Sequence, residues 1–205
     1  MTRVEDALLA ARLGADAVGL VFTPRSKRHI SLEQARAIRS ALPPFVSVVA
    51  LFMDDRAEWV REVIAAVQPD LLQFHGSERD GWCAQFGYPF AKAIAMGEGA
   101  PSLARLRDYP HAAALLLDGH DLGEAGGSGK AFDWSLVPAQ TDQPLILAGG
   151  LNPDNVAQAV RRARPWAVDV ASGIESAPGI KHPERLAAFI RAVRAADAEH
   201  PGHPA

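Results

Sequence analysis

Short apolar runs alternate with amphipathic stretches along the whole chain, at a repeat of roughly 20 to 30 residues, and this restricts the fold more than any other feature. The runs AVGLVF, VSVVALFM, LLQFH, FAKAIAM, AAALLLD, LILA and AVDVA are nearly continuous in apolar character, the pattern of strands buried on both faces. Helical patterns lie between them. SLEQARAIRSAL starts at Ser31 with Gln34 three positions on, a capping box. RAEWVREVIAAV follows Asp54 and Asp55, either of which is its expected cap. ERDGWCAQFG, a weak helix in SLARLRDY and a short one around FDWSLV come next. NPDNVAQAVRRA opens on Asn152 with Pro153 at its first position, and PERLAAFIRAVRAA is the last helix. Strands joined through helices form parallel sheets with right-handed crossovers. Yet the first element is itself a helix: Val4, Ala7, Leu8, Ala11 and Leu13 recur at helical spacing, and Gly14 ends the run. The pattern is that of about seven strands and about eight helices in a parallel sheet whose opening strand is missing.

No linker or composition shift divides residues 1–196, which read as one domain, and 197–205 read as a polar tail. Two architectures fit. A doubly wound open sheet accepts seven strands, whereas a (β/α)8 barrel closes with eight. Chemistry-bearing residues or glycines follow nearly every strand: Arg28, His75–Gly76, Asp118, Gly149–Gly150 and Ser172–Gly173. A barrel gathers groups from many strands on its C-terminal rim, while an open sheet concentrates them at one switch point. The expected fold class is therefore α/β, a (β/α)8 TIM barrel lacking its first strand in this sequence.

Composition narrows the function classes. A net charge of −3 and a pI near 6.2 argue against a broad nucleic-acid face. The single cysteine, Cys83, forms no intrachain disulfide and fits a reducing cytoplasm. The apolar runs fall short of the roughly 18 residues of a membrane span, and Glu5 and Asp6 do not suit a signal peptide. The expectation is a cytoplasmic protein with a small-molecule partner, without nucleic acid, membrane or metal; no two histidines stand at ligand spacing.

The strongest chemical signal is the pair ILAGGLNPDNV and VDVASGIES. Each reads as a strand, a glycine-containing loop and a helix start, the layout that presents backbone N–H groups to a phosphate. Two ordinary strand-to-helix turns would also use glycine. Asp118 ends a hydrophobic strand, where burial raises a carboxyl pKa and suits a general acid; turn formation or capping is the plainer role. The loop after it carries Gly126, Gly127, Gly129 and Lys130 without the full P-loop spacing, so a lid is expected rather than a nucleotide site. Arg25, Lys27 and Arg28 share one loop, as a carboxylate grip or a solvated cluster. Gln73 and His75, two apart, point to one side of their strand.

Together and in order, TRVEDALLAARLGADAVGLVF, SKRHIS, LLQFHGSE, LLLD, GGSGKAFDW, LAGGLNPDNV and VDVASGIESAPGIK resemble the phosphoribosylanthranilate isomerases of tryptophan biosynthesis, over nearly the whole chain. The resemblance implies a (β/α)8 barrel, a phosphorylated substrate, no cofactor, and a monomer or homodimer. It implies an Amadori rearrangement of N-(5-phosphoribosyl)anthranilate to 1-(2-carboxyphenylamino)-1-deoxyribulose 5-phosphate. In the family's reaction a general acid opens the furanose ring to a Schiff base, a general base removes the C2′ proton, and the enolamine becomes the ketone. Carried over, Asp118 is the acid. Arg28 meets the anthranilate carboxylate, Asp169 lies near the amine, and His75 stands on the rim. Gly149, Gly150, Ser172 and Gly173 hold the phosphate, with Ala171 where the family often has a further serine. The family's base is the cysteine of a Lys-x-Cys-Gly stretch directly before the position of Thr2. The sequence starts at Met1, so that strand and base are expected upstream of it, and helical Cys83 does not replace them. The alternatives are an impaired barrel that binds phosphosugar or assembles through open strand edges, and a different phosphate-binding barrel enzyme such as an epimerase.

Overall fold

Helix α1 (Val4–Leu13) leads into β1 (Ala17–Val21), as the opening of the sequence requires. The computed structural model describes residues 1–120 and 131–199. There follow α2 (Leu32–Ala41), β2 (Ser47–Phe52), α3 (Ala57–Val67), β3 (Leu71–Phe74), α4 (Asp80–Ala84) and β4 (Phe90–Ala95). A 3-10 helix (Ala100–Asp108), β5 (Ala114–Asp118), a 3-10 turn (Trp134–Leu136), β6 (Leu145–Leu147), α5 (Val156–Ala163) and β7 (Ala167–Val168) come next. The chain continues through a 3-10 turn (Ser172–Ile174), the strands β8 (Glu175–Ala177) and β9 (Ile180–Lys181), and α6 (Pro183–Ala198). Among the described residues no helix is long and apolar enough to cross a membrane.

The seven strands β1 to β7 pair in parallel and strictly in chain order. An in-order sheet has no switch point, which sets aside the doubly wound alternative. The sheet also curls. Thr23 and Arg28, after the first strand, and Asp169 and Ser172, after the last, line one cavity. Arg28 bonds Glu175 across 147 positions of sequence. β8 and β9 form a separate antiparallel hairpin beside the rim.

Local signals set the element ends. Gly14 adopts φ 92° and its N–H reaches the carbonyls of Ala10 and Ala11, so a left-handed cap stops α1. Ser31 and Gln34 form the reciprocal capping box of α2. Other ends differ from expectation. Neither Asp54 nor Asp55 caps α3, whose N-cap is Arg56; Asp54 accepts from Ser77, and Asp55 from the Met53 N–H. Asn152 organises a turn, accepting from the N–H groups of Asp154 and Asn155, and α5 starts only at Val156. The ERDGWCAQFG helix is confined to Asp80–Ala84. The SLARLRDY and FDWSLV segments wind as 3-10 rather than α. α6 runs to Ala198, two residues beyond the expected end of the domain at 196.

The two faces of the sheet are packed differently, and this makes the cavity. Toward the helices, Phe22, Phe52 and Phe74 stack at centroid separations of 5.8 and 5.9 Å, with Trp59 and Trp82 against their edges. On the inner face Ala93, Leu116 and Ala148 form a small cluster with Ile146. Side chains this small do not fill the space inside the curled sheet toward its C-terminal rim. The period of two that buries Leu116 there carries Asp118 to the mouth.

Candidate active site

The cavity opens at the C-terminal ends of the strands and measures about 750 Å³ including its mouth. It is lined by apolar Val21, Leu51 and Leu151 and by the polar groups of Arg28, His75, Asp118 and Asp169. Gly149, Gly150 and Ser172 complete its wall. Of the site residues that the resemblance implies, Gly173 alone is not on the wall. It packs directly behind it: a Cβ there would stand 1.9 Å from the Leu151 carbonyl oxygen, so only glycine lets the loops after β6 and β7 touch. Gly149 and Gly150 have φ of 77° and 66°, a left-handed pair in a turn that other residues take only with strain. Asn155 donates from its side chain to the Gly150 carbonyl and so fixes this turn. The expected helix start after Gly173 is a single 3-10 turn, Ser172–Ile174, leading into β8.

Asp118 closes β5 and is 4% exposed. Its Oδ2 lies 3.3 Å from His120 Nδ1, while its Oδ1 is buried with no hydrogen-bond partner among the described residues. Burial alone would raise its pKa, but His120, with a further contribution from His75, holds the carboxyl below the ordinary range. The expectation of a raised pKa is thus reversed, because an imidazole stands beside the carboxyl. The carboxyl that is pushed up is Asp169, by burial and by the facing charge of Asp118. His75 shares a short contact with Gln73, as their spacing required, and burial lowers its pKa to about 4, so the ring is neutral near pH 7.

Arg28 does not point free into solvent. Its Nε and Nη2 donate to Glu175, at 2.9 and 2.8 Å, and Lys181 Nζ donates to the same carboxylate at 3.1 Å. Lys181 also donates to the Ala171 carbonyl, and its own N–H donates to Asp6 of α1. The solvated-cluster alternative therefore fails for Arg28, which is anchored on one edge and borders the cavity.

Comparison with known proteins shows the family. Residues 1–192 match the family model for N-(5'phosphoribosyl)anthranilate isomerase. The chain belongs to the N-(5'-phosphoribosyl)anthranilate isomerase family. It is 51% identical over 193 residues to the isomerase of Nitrosospira multiformis, covering 94% of this chain and 93% of that one. It is 51% identical to that of Stenotrophomonas maltophilia, covering 96% and 91%. Its fold resembles the crystal structure of the Thermotoga maritima isomerase, with TM-score 0.85, 42% identity and coverage of 95% and 96%. A phosphoribosylanthranilate isomerase in complex with reduced 1-(o-carboxyphenylamino)-1-deoxyribulose 5-phosphate is similar at TM-score 0.84 and 38% identity, with coverage of 95% and 95%.

Residues of the SKRHIS, LLQFHGSE, LLLD, LAGGLNPDNV and VDVASGIESAPGIK motifs thus line one cavity. Gly126, Gly127, Gly129 and Lys130 lie outside the described residues. Cys83 lies in α4, fully buried, and burial pushes its thiol up to about 12. Sequence reading missed three supporting groups. Glu175 grips Arg28. His120 faces Asp118. Buried Lys92 donates to the carbonyls of Phe74, Gly76 and Ala93 and lies 3.5 Å from Glu78, tying down the loop after β3 that carries His75. His120 had a signal, since it stands two positions after Asp118; Glu175 and Lys92 had none.

Proposed function

We propose that the cavity carries out the isomerisation of N-(5-phosphoribosyl)anthranilate to 1-(2-carboxyphenylamino)-1-deoxyribulose 5-phosphate. The reading rests on the family and on one observation above the rest: the buried carboxylate of Asp118 lines the same cavity as the Gly149–Gly150 turn and Ser172. The phosphate fits the turn of Gly149–Gly150 and the Ser172–Gly173 loop, which offer backbone N–H groups. Arg28 still has its Nη1 uncommitted among the described residues and so has donors for the anthranilate carboxylate. Asp169 takes the position near the amine. Neutral His75 lines the wall as a hydrogen-bonding rather than a charged group.

His120 favours the ionised form of Asp118. A substrate bringing a phosphate and a carboxylate into a closed cavity adds negative charge and removes water, and both favour the protonated carboxyl. Asp118 Oδ1 then gives its proton to the furanose oxygen as the ring C–O bond breaks, leaving the Schiff base. A base removes the C2′ proton, and the enolamine tautomerises to the ketone. In the family that base is the cysteine of the Lys-x-Cys-Gly strand. We read the in-order sheet as seven staves of a (β/α)8 barrel, with that strand's place between β7 and β1. We also propose a monomer or homodimer acting in the cytoplasm.

Asp118→Asn tests the assignment. Turnover should fall by about 10²–10⁴-fold, the usual contribution of a general acid. Binding of the reduced product analogue, followed by calorimetry, should persist. Retained turnover would remove Asp118 as the acid, and lost binding would make it structural.

A further inference from the structure

His120 is 2% exposed, and among the described residues its Nδ1 has no hydrogen-bond partner, only the approach to Asp118 Oδ2 at 3.3 Å. Both residues are held by the backbone. The Met96 N–H donates to the Asp118 carbonyl at 2.8 Å, and the Gly97 N–H donates to the His120 carbonyl at 3.1 Å. The bend after β5 is thereby tied to the end of β4. Nδ1 is the ring nitrogen nearest Oδ2, and a neighbouring carboxylate favours the tautomer that carries its proton there. At 3.3 Å the two make a close approach without a formed hydrogen bond, a geometry that substrate binding can tighten.

We propose that His120 is the positioning residue of the general acid, fixing through Nδ1 which oxygen of Asp118 carries the transferable proton. A carboxyl has two oxygens that can hold its proton. With Nδ1–H donating to Oδ2, that oxygen is committed as an acceptor, and the proton resides on Oδ1, the oxygen without a partner among the described residues. When Oδ1 releases its proton to the furanose oxygen, Nδ1–H stabilises the carboxylate left behind. His120 itself neither gains nor loses a proton. The carboxyl is restored in the last step, when the enol hydroxyl gives up its proton as the ketone forms.

The groups surrounding the pair do not substitute for it. His75, from the end of β3, has its ring 6.3 Å from His120 and is engaged with Gln73. Lys92 of β4 is committed to three carbonyls. Asp169, directly after β7, is a carboxyl that also lines the cavity and offers no fixed donor. Arg25, Asp54, Arg105 and Tyr109 line an adjoining cavity that His120 borders. Among the described residues, His120 is the one side chain given in polar contact with the Asp118 carboxyl.

This inference rests on Asp118 being the acid, and the experiment separates the two. The ¹³Cγ signal of Asp118 is titrated in the full chain, in the wild type, in His120→Phe, which keeps ring volume without the donor, and in His120→Asn, which keeps a donor. Where the Phe variant does not fold, His120→Ala replaces it. The proposal expects the Asp118 midpoint to rise by at least about one pH unit in the Phe or Ala variant, since burial is then unopposed, and to return toward the wild type in the Asn variant. The alkaline limb of kcat/KM should move the same way. An unmoved midpoint overturns the proposal whatever the turnover. A moved midpoint with full activity in Asp118→Asn instead overturns the acid assignment on which it stands.

Discussion

Replacing Glu175 by glutamine should both unfold the protein earlier and loosen its hold on substrate. The carboxylate is 5% exposed, as is the Lys181 side chain, and Arg28 is 17% exposed. Neutralising the shared anion leaves two buried cations facing each other. Breaking a buried ion pair costs about 3–5 kcal/mol. Lys181 retains the Ala171 carbonyl at 3.1 Å and Arg28 retains some water, so the lower end, about 3 kcal/mol, applies. In a domain of this size each kcal/mol shifts Tm by about 2–4 °C, which gives a fall of about 6–12 °C in a circular dichroism melt at pH 7. Arg28 also loses its fixed edge. If one charged hydrogen bond to substrate is lost with it, at about 1.5–3 kcal/mol, KM rises by about ten- to a hundredfold.

The pH dependence supplies an independent check. Burial alone would raise Glu175, but the hydrogen bond from Arg28 and the charge of Lys181 hold its pKa below the usual value. A carboxyl depressed in the folded state contributes stability above its unfolded pKa and loses it as pH falls through the folded one. The gap in Tm between wild type and E175Q should therefore be largest near neutrality and narrow on acidification from about pH 5 downward. Equal melting at pH 7, or a gap that widens in acid, would refute the account of this network.

Gly173→Ala should push apart the two loops that meet at Leu151, since its Cβ would stand 1.9 Å from that carbonyl oxygen. Calorimetric titration with the reduced product analogue should show affinity lowered about five- to 150-fold for a strain of about 1–3 kcal/mol, and unchanged affinity would remove Gly173 from the phosphate site. Cys83, its thiol pushed up to about 12, should resist a thiol-specific disulfide reagent in the native protein and react on unfolding. Cys83→Ala should leave KM and kcat within about twofold, as expected for a buried non-reactive thiol; rapid native modification with loss of turnover would contradict this.

What the sequence discloses is what depends on neighbours along the chain. The Ser31–Gln34 box, the Gly14 stop and the pairing of Gln73 with His75 follow from spacings of one to four residues, and all are present. The in-order sheet follows from alternation, and Asp118 reaches the rim because strand parity puts it on the face of Leu116. Failures begin where a residue chooses between a local and a distant partner. Asp54 could cap the helix after it but instead binds Ser77, 23 positions away. Arg28 was legible as a carboxylate grip, yet the carboxylate it holds within the chain is Glu175, 147 positions on. The error over Asp118 is of a different kind. Its burial was inferred correctly, and burial does raise a carboxyl; the sign changed because an imidazole stands beside it. That imidazole is two residues away, the same separation that places Gln73 beside His75. Gly119 between them reads as the end of the strand, and the bend it marks keeps the two side chains together instead of parting them.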